Sequence, residues 1–452
     1  MHLPKKLDNL LHGHSNPVDI DLIPNSVEIR QRFIEDKLLK ERHGPEFTEY
    51  ARLKDYNPAI FKMFRDLSIK HLVPNTTKIH SKQVDIMDFV PIFSDALLPS
   101  IDEYFEGYTH SLMNRFDQAE IFENIAYGSS SVAAYFVGNG LFTIALSLYG
   151  SWDQQTKFCG DLAKNSIVGC FALTGDAGGS NPLGLKSVTY TKKDGKYVLN
   201  GKKVFVTNGP IADHAIVFAE EKDADITAFI VPANNGFTSG KSNDMMGWRG
   251  SKNSEIFLDN VVLSEENILD SEHKGYELAM HVLYHMRINV AAQALGLMER
   301  AYDETLAFTK LKSSGNKKLA EIPQVREKLK AIEESINSVR EKMYTETLGP
   351  RFDRQMRYRH NVELKFRQAT VARSSDIKAY ATNELTKVAN IAMDLQGAWG
   401  RCEENPISTI HSDTPIYRII AGSNDLLISQ GKKGSQLMGE YLNSNGYIVK
   451  TS

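Results

Sequence analysis

The residues best suited to chemistry in this 452-residue chain gather at three places. The first is Phe171-Ala172-Leu173-Thr174-Gly175-Asp176-Ala177-Gly178-Gly179-Ser180-Asn181, with three glycines in five positions. Glycines let backbone approach a ligand closely, and consecutive N–H groups can hold an anion. Thr174 and Ser180 add a hydroxyl at either end. The second is Phe205-Val206-Thr207-Asn208, an aromatic and a hydroxyl suited to a flat heterocycle, provided the two segments meet. The third is Asp394-Leu395-Gln396-Gly397-Ala398-Trp399-Gly400, where two glycines interrupt a helical pattern. From the residues alone, the first is equally a plain turn and the third equally a helix C-cap.

The elements around these places change character twice. From about 83 to 165 the reading is helical: Val84, Met87, Val90, Phe93 and Leu97 recur at three and four, and Ser129–Tyr149 is rich in small and aromatic residues. Gln154, Phe158 and Leu162 continue the pattern. From 166 to about 270 short apolar runs alternate with Gly, Asn, Asp and Pro. Ile167 to Leu173 reads as a buried strand. Asp194-Gly195 and Asn200-Gly201 both read as hairpin turns, separating Val188–Thr191, Tyr197–Leu199 and Val204–Val206. Further strands are expected at 215–219, 226–231, 256–258 and 261–263.

From 273 onward helices return. Ile288–Phe308 forms a long amphipathic helix with Arg287 at its start. Val325, Leu329, Ile332, Ile336, Val339 and Met343 step as a heptad seam, read as bundle core. Phe366–Leu395 and Leu426–Tyr441 supply two more helices. The expected fold is mainly α with a central β-domain. It comprises an N-terminal extension (1–80, with a charged helical piece at 27–42), a helical domain (81–165), a β-barrel-like middle domain (166–270) and a C-terminal four-helix bundle (271–452).

Composition sets limits on function. Hydrophobic residues make up 42% and charged residues 24%, and the net charge is −3, which gives no electrostatic case for nucleic acid or an anionic membrane. Cys159, Cys170 and Cys402 form no CxxC pair, so a reducing compartment and a cytoplasmic location are expected. No apolar run reads as long enough to cross a bilayer, and no secretory signal opens the chain. GxGxxG, P-loop and HExxH motifs are missing from the sequence, and no metal-ligand set is expected.

The first two motifs resemble the FAD-binding signature of the acyl-CoA dehydrogenase superfamily. There the pattern is Ala-Leu-Thr-Glu-Pro-x-Ala-Gly-Ser-Asp, then Asn-Gly-x-Lys-x-Trp/Phe-Ile/Val-Thr-Asn. Here Glu-Pro is Gly175-Asp176 and the last Asp is Asn181, whereas Asn200-Gly201-Lys202-Lys203-Val204-Phe205-Val206-Thr207-Asn208 matches throughout. Gly397-Ala398-Trp399-Gly400 stands for Gly-Gly-x-Gly, and Lys312 stands where the family has the Arg of Arg-x-x-Phe-Gly. The resemblance runs from roughly 83 to 445. It implies FAD held by Phe171, Leu173, Thr174, Gly179, Ser180, Phe205, Thr207, Lys312, Gly397, Ala398 and Ser423. It also implies acyl-CoA contacts at Ser180, Arg287 and Gly422. The implied partners are an acyl-CoA substrate, an electron-transfer flavoprotein and further copies of the chain in a dimer or tetramer.

The implied reaction is α,β-dehydrogenation of an acyl-CoA thioester in fatty acid metabolism, begun when a carboxylate removes the α-proton. The family's usual base position is Ala421 here, and the other position used in the family is Met286. Neither side chain accepts a proton. Losing a general base costs ~10²–10⁴-fold, or about 3–5 kcal/mol of barrier. Asp425, Asp413, His285 and Tyr284 lie nearest in sequence as substitutes. Other readings are a monooxygenase or eliminating flavoenzyme of the same fold, or a catalytically deficient subunit of a hetero-oligomer.

Overall fold

A computed structural model describes residues 58–97, 115–163, 167–179, 187–221, 225–343 and 364–429. Ser180, the helical piece at 27–42 and most of the expected 426–441 helix lie outside them. In chain order the first helices are α1 (Pro58–Leu67), α2 (Thr76–His80), α3 (Val90–Leu97), α4 (Arg115–Gly128), α5 (Ser130–Tyr149) and α6 (Trp152–Ala163). The strands are β1 (Gly169–Ala172), β2 (Val188–Lys193), β3 (Lys196–Thr207), β4 (His214–Glu221), β5 (Ile226–Pro232), β6 (Thr238–Ser239) and β7 (Asn253–Leu263). The bundle follows as α7 (Gly275–Leu311), α8 (Pro323–Glu341), α9 (Leu364–Gln396) and α10 (Pro406–Ile419).

The β-domain is a mixed sheet of seven strands in the order β1-β4-β2-β3-β7-β6, with β5 on β4. Its interior packs Tyr190, Tyr197 and Phe229 ring against ring. Asp194-Gly195 makes the β2–β3 hairpin, with φ 51° and 72° at its two turn residues, as a two-residue primed turn requires. Asn200-Gly201 does not turn the chain. It sits inside one continuous twelve-residue strand, at a register shift against β7. Gly201 has φ 133°, and a Cβ there would lie 2.2 Å from the Ser187 carbonyl. Asn200 accepts from the Asn260 backbone N–H at 2.7 Å, so two irregularities in neighbouring strands lock together. The irregularity serves a bulge, which has the same residue preferences as a turn.

The helical layer begins earlier than expected. α1 is packed into the core through Phe61 and Phe64, and Arg65 is buried against Glu299 of α7. Arg340 of α8 reaches the same carboxylate from the other side and also approaches Glu123 of α4 at 3.3 Å. Residues 58–80 therefore belong to the helical body, and the boundary placed at 81 falls within packed structure. α4 and α7 cross closely: a Cβ on Gly296 would lie 1.9 Å from the Glu123 carbonyl. The α8 seam buries Leu329, Ile332, Ile336 and Val339 as the heptad spacing requires.

Two further expectations change. The bundle's fourth described helix is α10, despite Pro415 within it, while 424–429 form helical turns beyond it. α5 is long and apolar enough to cross a membrane by length and composition, contrary to the sequence reading, but it is a mostly buried core helix here. Gln154 of α6 ties the helical layer to the sheet, donating to the carbonyls of Glu266 and Ile268 at 2.9 Å.

Candidate active site

The two flavin-type motifs meet. β1 is parallel to β4, and its end carries the chain to Thr174, whose carbonyl accepts from the Val204 N–H at 2.9 Å. Lys202 and Asp176 form an ion pair at 3.2 Å beside that bond. The contact falls one residue before Phe205, within the second register shift of β3 against β7, between Lys203 and Val206. Phe205 has φ 54° and stands 65% exposed. A left-handed aromatic residue is a backbone outlier, and such strain gathers at ligand sites. Thr207 lies two residues on, its Oγ1 facing Asn253 Nδ2 at 3.4 Å. Asn208 anchors the strand end: it is fully buried, has φ 66°, and donates to the Tyr135 carbonyl of α5 at 2.9 Å.

The loop after Thr174 is open on its glycine face. Gly178 has φ 89° and empty space where a Cβ would lie. Phe171 is buried against Phe218 and so braces the strand from behind, and Leu173 is half-buried beside it. An exposed aromatic ring, a hydroxyl and an open glycine loop on one sheet end fit the ring system and phosphates of FAD. Gly179 lies at 3.5 Å from Thr174 Oγ1 by its would-be Cβ, so a larger residue there would begin to crowd the loop.

The third motif forms a separate corner of the bundle. Gly397, with φ 60° and open space around it, ends α9. Ala398 and Trp399 are exposed, and the Lys312 ammonium sits over the Trp399 ring at 5.2 Å. Among the described residues, no hydrogen bond, ion pair or ring contact joins this corner to the Thr174–Phe205 group.

Neither customary base position carries a carboxylate. Met286 is fully buried, and Ala421 packs against the same apolar cluster. Arg287, next to Met286, donates from Nε to the Ala421 carbonyl at 2.9 Å and from Nη1 to Ser375 at 2.8 Å. Ala421 has φ 52° and Gly422 φ 108°, a left-handed turn between α10 and the helical turns at 424–429. Lys378 of α9, also fully buried, donates to the Gly422 carbonyl at 2.8 Å and to Asn424 Oδ1 at 3.0 Å. Burial pulls Lys378 down to about 7, helped by repulsion from Arg287 and Arg418, and pulls Arg287 down to about 10. Ser423 is half-buried behind the turn, and its carbonyl accepts from Leu427 N–H.

Of the substitute bases, Asp413, His285 and Tyr284 make contacts elsewhere, and Asp425 faces solvent. Asp413 is buried, accepting from Ser130 Oγ and the Trp248 N–H, and burial pushes it up to about 7. Asp425 is exposed in the first turn of the 424–429 segment. His285 stacks on Tyr284 and meets His281 edge-on, and His281 Nδ1 is hydrogen-bonded to the Tyr149 hydroxyl. Sequence reading missed Lys378, Ser375 and Asn424. The available signal was a lysine inside the small and apolar stripe Ser374, Ile377, Ala381 and Leu385 of α9, a place that solvated lysines avoid.

Comparison with known proteins places this geometry. The middle-domain and C-terminal-domain models of acyl-CoA dehydrogenase match residues 170–261 and 273–435, together more than half of the chain. An acyl-CoA dehydrogenase of Bacillus subtilis is 31% identical over 284 residues, 62% of this chain and 71% of its own. The 3-(aryl)acrylate reductase of Clostridium sporogenes is 29% identical over 313 residues, 68% of this chain and 79% of its own. The butyryl-CoA dehydrogenase structure from Megasphaera elsdenii superposes with a TM-score of 0.75 at 26% identity, covering 85% of this chain and all of that one. An acyl-CoA dehydrogenase from Bacillus anthracis complexed with FAD shares the fold, with a TM-score of 0.75 at 21% identity over 87% of this chain and 68% of that one. The fold is that of flavin-dependent oxidoreductases. The chain belongs to the acyl-CoA dehydrogenase family.

Proposed function

We propose that this protein is an FAD-dependent oxidoreductase that desaturates an acyl-CoA thioester between Cα and Cβ and passes the electrons to an electron-transfer flavoprotein. The observation that carries the reading is the meeting of Thr174 and Val204 beside the exposed, left-handed Phe205. Phe205 would lie against the flavin ring, Thr207 would bond its edge, and the open loop at Gly178-Gly179 would face the phosphates. When bound, the flavin supplies a two-electron acceptor.

The chain's own residues hold the acyl group. Arg287 fixes the Ala421 carbonyl, and the turn it fixes leaves the Ala421 N–H with no acceptor among the described residues. That N–H would receive the thioester oxygen, an oxyanion-type contact that does not need a side chain. The half-buried Ala421 methyl packs against the apolar cluster of the helical body, which would limit water at the reacting carbon. Gly422 keeps the turn open beneath the thioester.

The exposed corner of Lys312, Gly397, Ala398 and Trp399 is read as the surface that meets the FAD of a second copy, in a dimer or tetramer. A cytoplasmic place in fatty acid metabolism completes the reading. The test is an anaerobic absorbance titration of the yellow protein with a panel of acyl-CoA thioesters, including ones that carry a second carboxylate. Bleaching of the flavin by any of them supports dehydrogenation. Flavin that ignores every acyl-CoA, yet consumes oxygen once reduced by other means, overturns it.

A further inference from the structure

The Ala421–Gly422 turn carries an uncompensated positive charge. Arg287 is 2% exposed and Lys378 0%, and both point at carbonyls of this one turn. Among the described residues no carboxylate pairs with either. The groups acting on Arg287 are Tyr284 and Tyr276, and those acting on Lys378 are Arg287 and Arg418, both cations. Buried charges are ordinarily paired, because an unpaired one in a low-dielectric site is costly. The carboxylate that would have offset them is absent from both places a general base occupies, Ala421 and Met286. The site thus lacks an anion and a proton acceptor at the same spot.

We infer that the substrate supplies the missing anion: it is a 2-carboxyacyl thioester, whose carboxylate on Cα lies beside the Ala421 methyl, and whose loss as CO₂ replaces proton abstraction. This rests on the dehydrogenase reading above and names its substrate class. In the step, the bond between Cα and the carboxylate carbon breaks, CO₂ leaves, and the electron pair stays on Cα as the thioester enolate. The anion that enters as carboxylate remains as enolate, so charge balances and no base is used. The enolate is the same species that deprotonation of an ordinary acyl thioester would give, and a bound flavin would supply the acceptor for the β-hydride whose loss gives the enoyl thioester.

The orientation of Arg287, charged at neutral pH, and of Lys378, charged in part there, suits this step. Their hydrogen bonds go to the Ala421 and Gly422 carbonyls, the Ser375 hydroxyl and the Asn424 side chain, so both are held at the turn and attract an anion mainly through space. Ala421 packs against the apolar cluster of the helical body, and Leu427 lies beside Gly422. A desolvated carboxylate beside apolar groups gains when it becomes neutral CO₂, while the enolate oxygen gains the Ala421 N–H.

The experiment compares 2-carboxybutanoyl-CoA with butyryl-CoA on the FAD-loaded protein and on protein stripped of FAD. Calorimetry on the stripped protein should show the carboxylated thioester binding about tenfold tighter, a preference that fades with salt. On the loaded protein it should bleach the flavin with one CO₂ released per flavin, while butyryl-CoA bleaches at least ~10²-fold more slowly. Ala421→Glu should reverse the preference, since it adds both a base and a repelling charge. Lys378→Met should weaken binding of the carboxylated thioester alone; if that variant does not fold, Ala421→Glu still decides. Bleaching by butyryl-CoA with none from the carboxylated thioester overturns the inference and leaves the dehydrogenase reading standing. Equal affinity of the stripped protein for both thioesters, or bleaching without CO₂, also overturns it. Flavin that neither thioester bleaches, nor any other acyl-CoA, overturns the dehydrogenase reading itself.

Discussion

Arg287 Nε donates to the carbonyl of Ala421 at 2.9 Å, joining the interior of α7, the longest described helix, to a left-handed turn 134 residues later. That bond ties the helix residue next to Met286 to the turn that holds Ala421. Arg287→Gln removes a charge-assisted hydrogen bond, worth about 2 kcal/mol. Urea unfolding should move by that amount, and flavin reduction by substrate should slow more than substrate binding weakens.

Phe205 stores strain that a ligand would use. Phe205→Gly removes the side chain that makes φ 54° unfavourable, a relief of about 1 kcal/mol. The FAD-free variant should therefore melt at or above the wild type. The same change should weaken FAD binding by roughly tenfold through loss of ring stacking, measured by fluorescence quenching. A variant that is both less stable and equally tight for FAD would contradict the assigned role.

Glu299 holds two guanidinium groups, from Arg65 and Arg340, in the buried junction of α1, α7 and α8. Glu299→Gln removes the shared counter-charge, leaving Arg65 without its carboxylate and Arg340 with Glu123 alone. Expected destabilisation is about 3–5 kcal/mol, read from chemical denaturation. Replacing all three residues by apolar ones of similar volume should cost much less.

Gly296→Ala tests the α4–α7 crossing. The new methyl carbon would meet the Glu123 carbonyl at 1.9 Å, where backbone faces backbone. The helices must part, at a cost of about 3 kcal/mol. Gly178→Ala, where φ is 89° but the space is empty, should cost only about 1 kcal/mol.

Asp303 and Asp413 are both raised to about 7 by burial, against 3.8 as the ordinary value. Folded protein therefore keeps protons that the unfolded chain releases across this window. Their contribution to stability is complete below about 4, declines as pH rises toward about 7, and levels off above it. The double variant Asp303→Asn, Asp413→Asn should flatten that part of the stability–pH curve relative to wild type.

Much of the architecture could be read from periodicity. The heptad seam of α8 lies where its spacing puts it because it buries one repetitive face, and the strand at Ile226–Val231 lies where its unbroken apolar run puts it because it is buried throughout. Asn200-Gly201 misled because a bulge and a hairpin ask for the same backbone freedom; only the partner strand β7 decides between them. α10 was hidden by Pro415, which tertiary packing tolerates. At the site, the vacancy at Ala421 was plain in the sequence, whereas the cations around it were not. Lys378 looks like any helical lysine until α9 is set against the 421–424 turn.

The ion cluster around Glu299 bears on how the molecule can be divided. Arg65 comes from the segment read from sequence as an N-terminal extension, yet it supplies one of the two guanidinium groups that pair with a carboxylate in the bundle. A fragment starting at residue 81 would inherit a solvent-starved Glu299 held by one guanidinium instead of two. The first described helix is thus a keystone laid by the opening of the chain, and modular swapping between relatives would have to carry it along with α7.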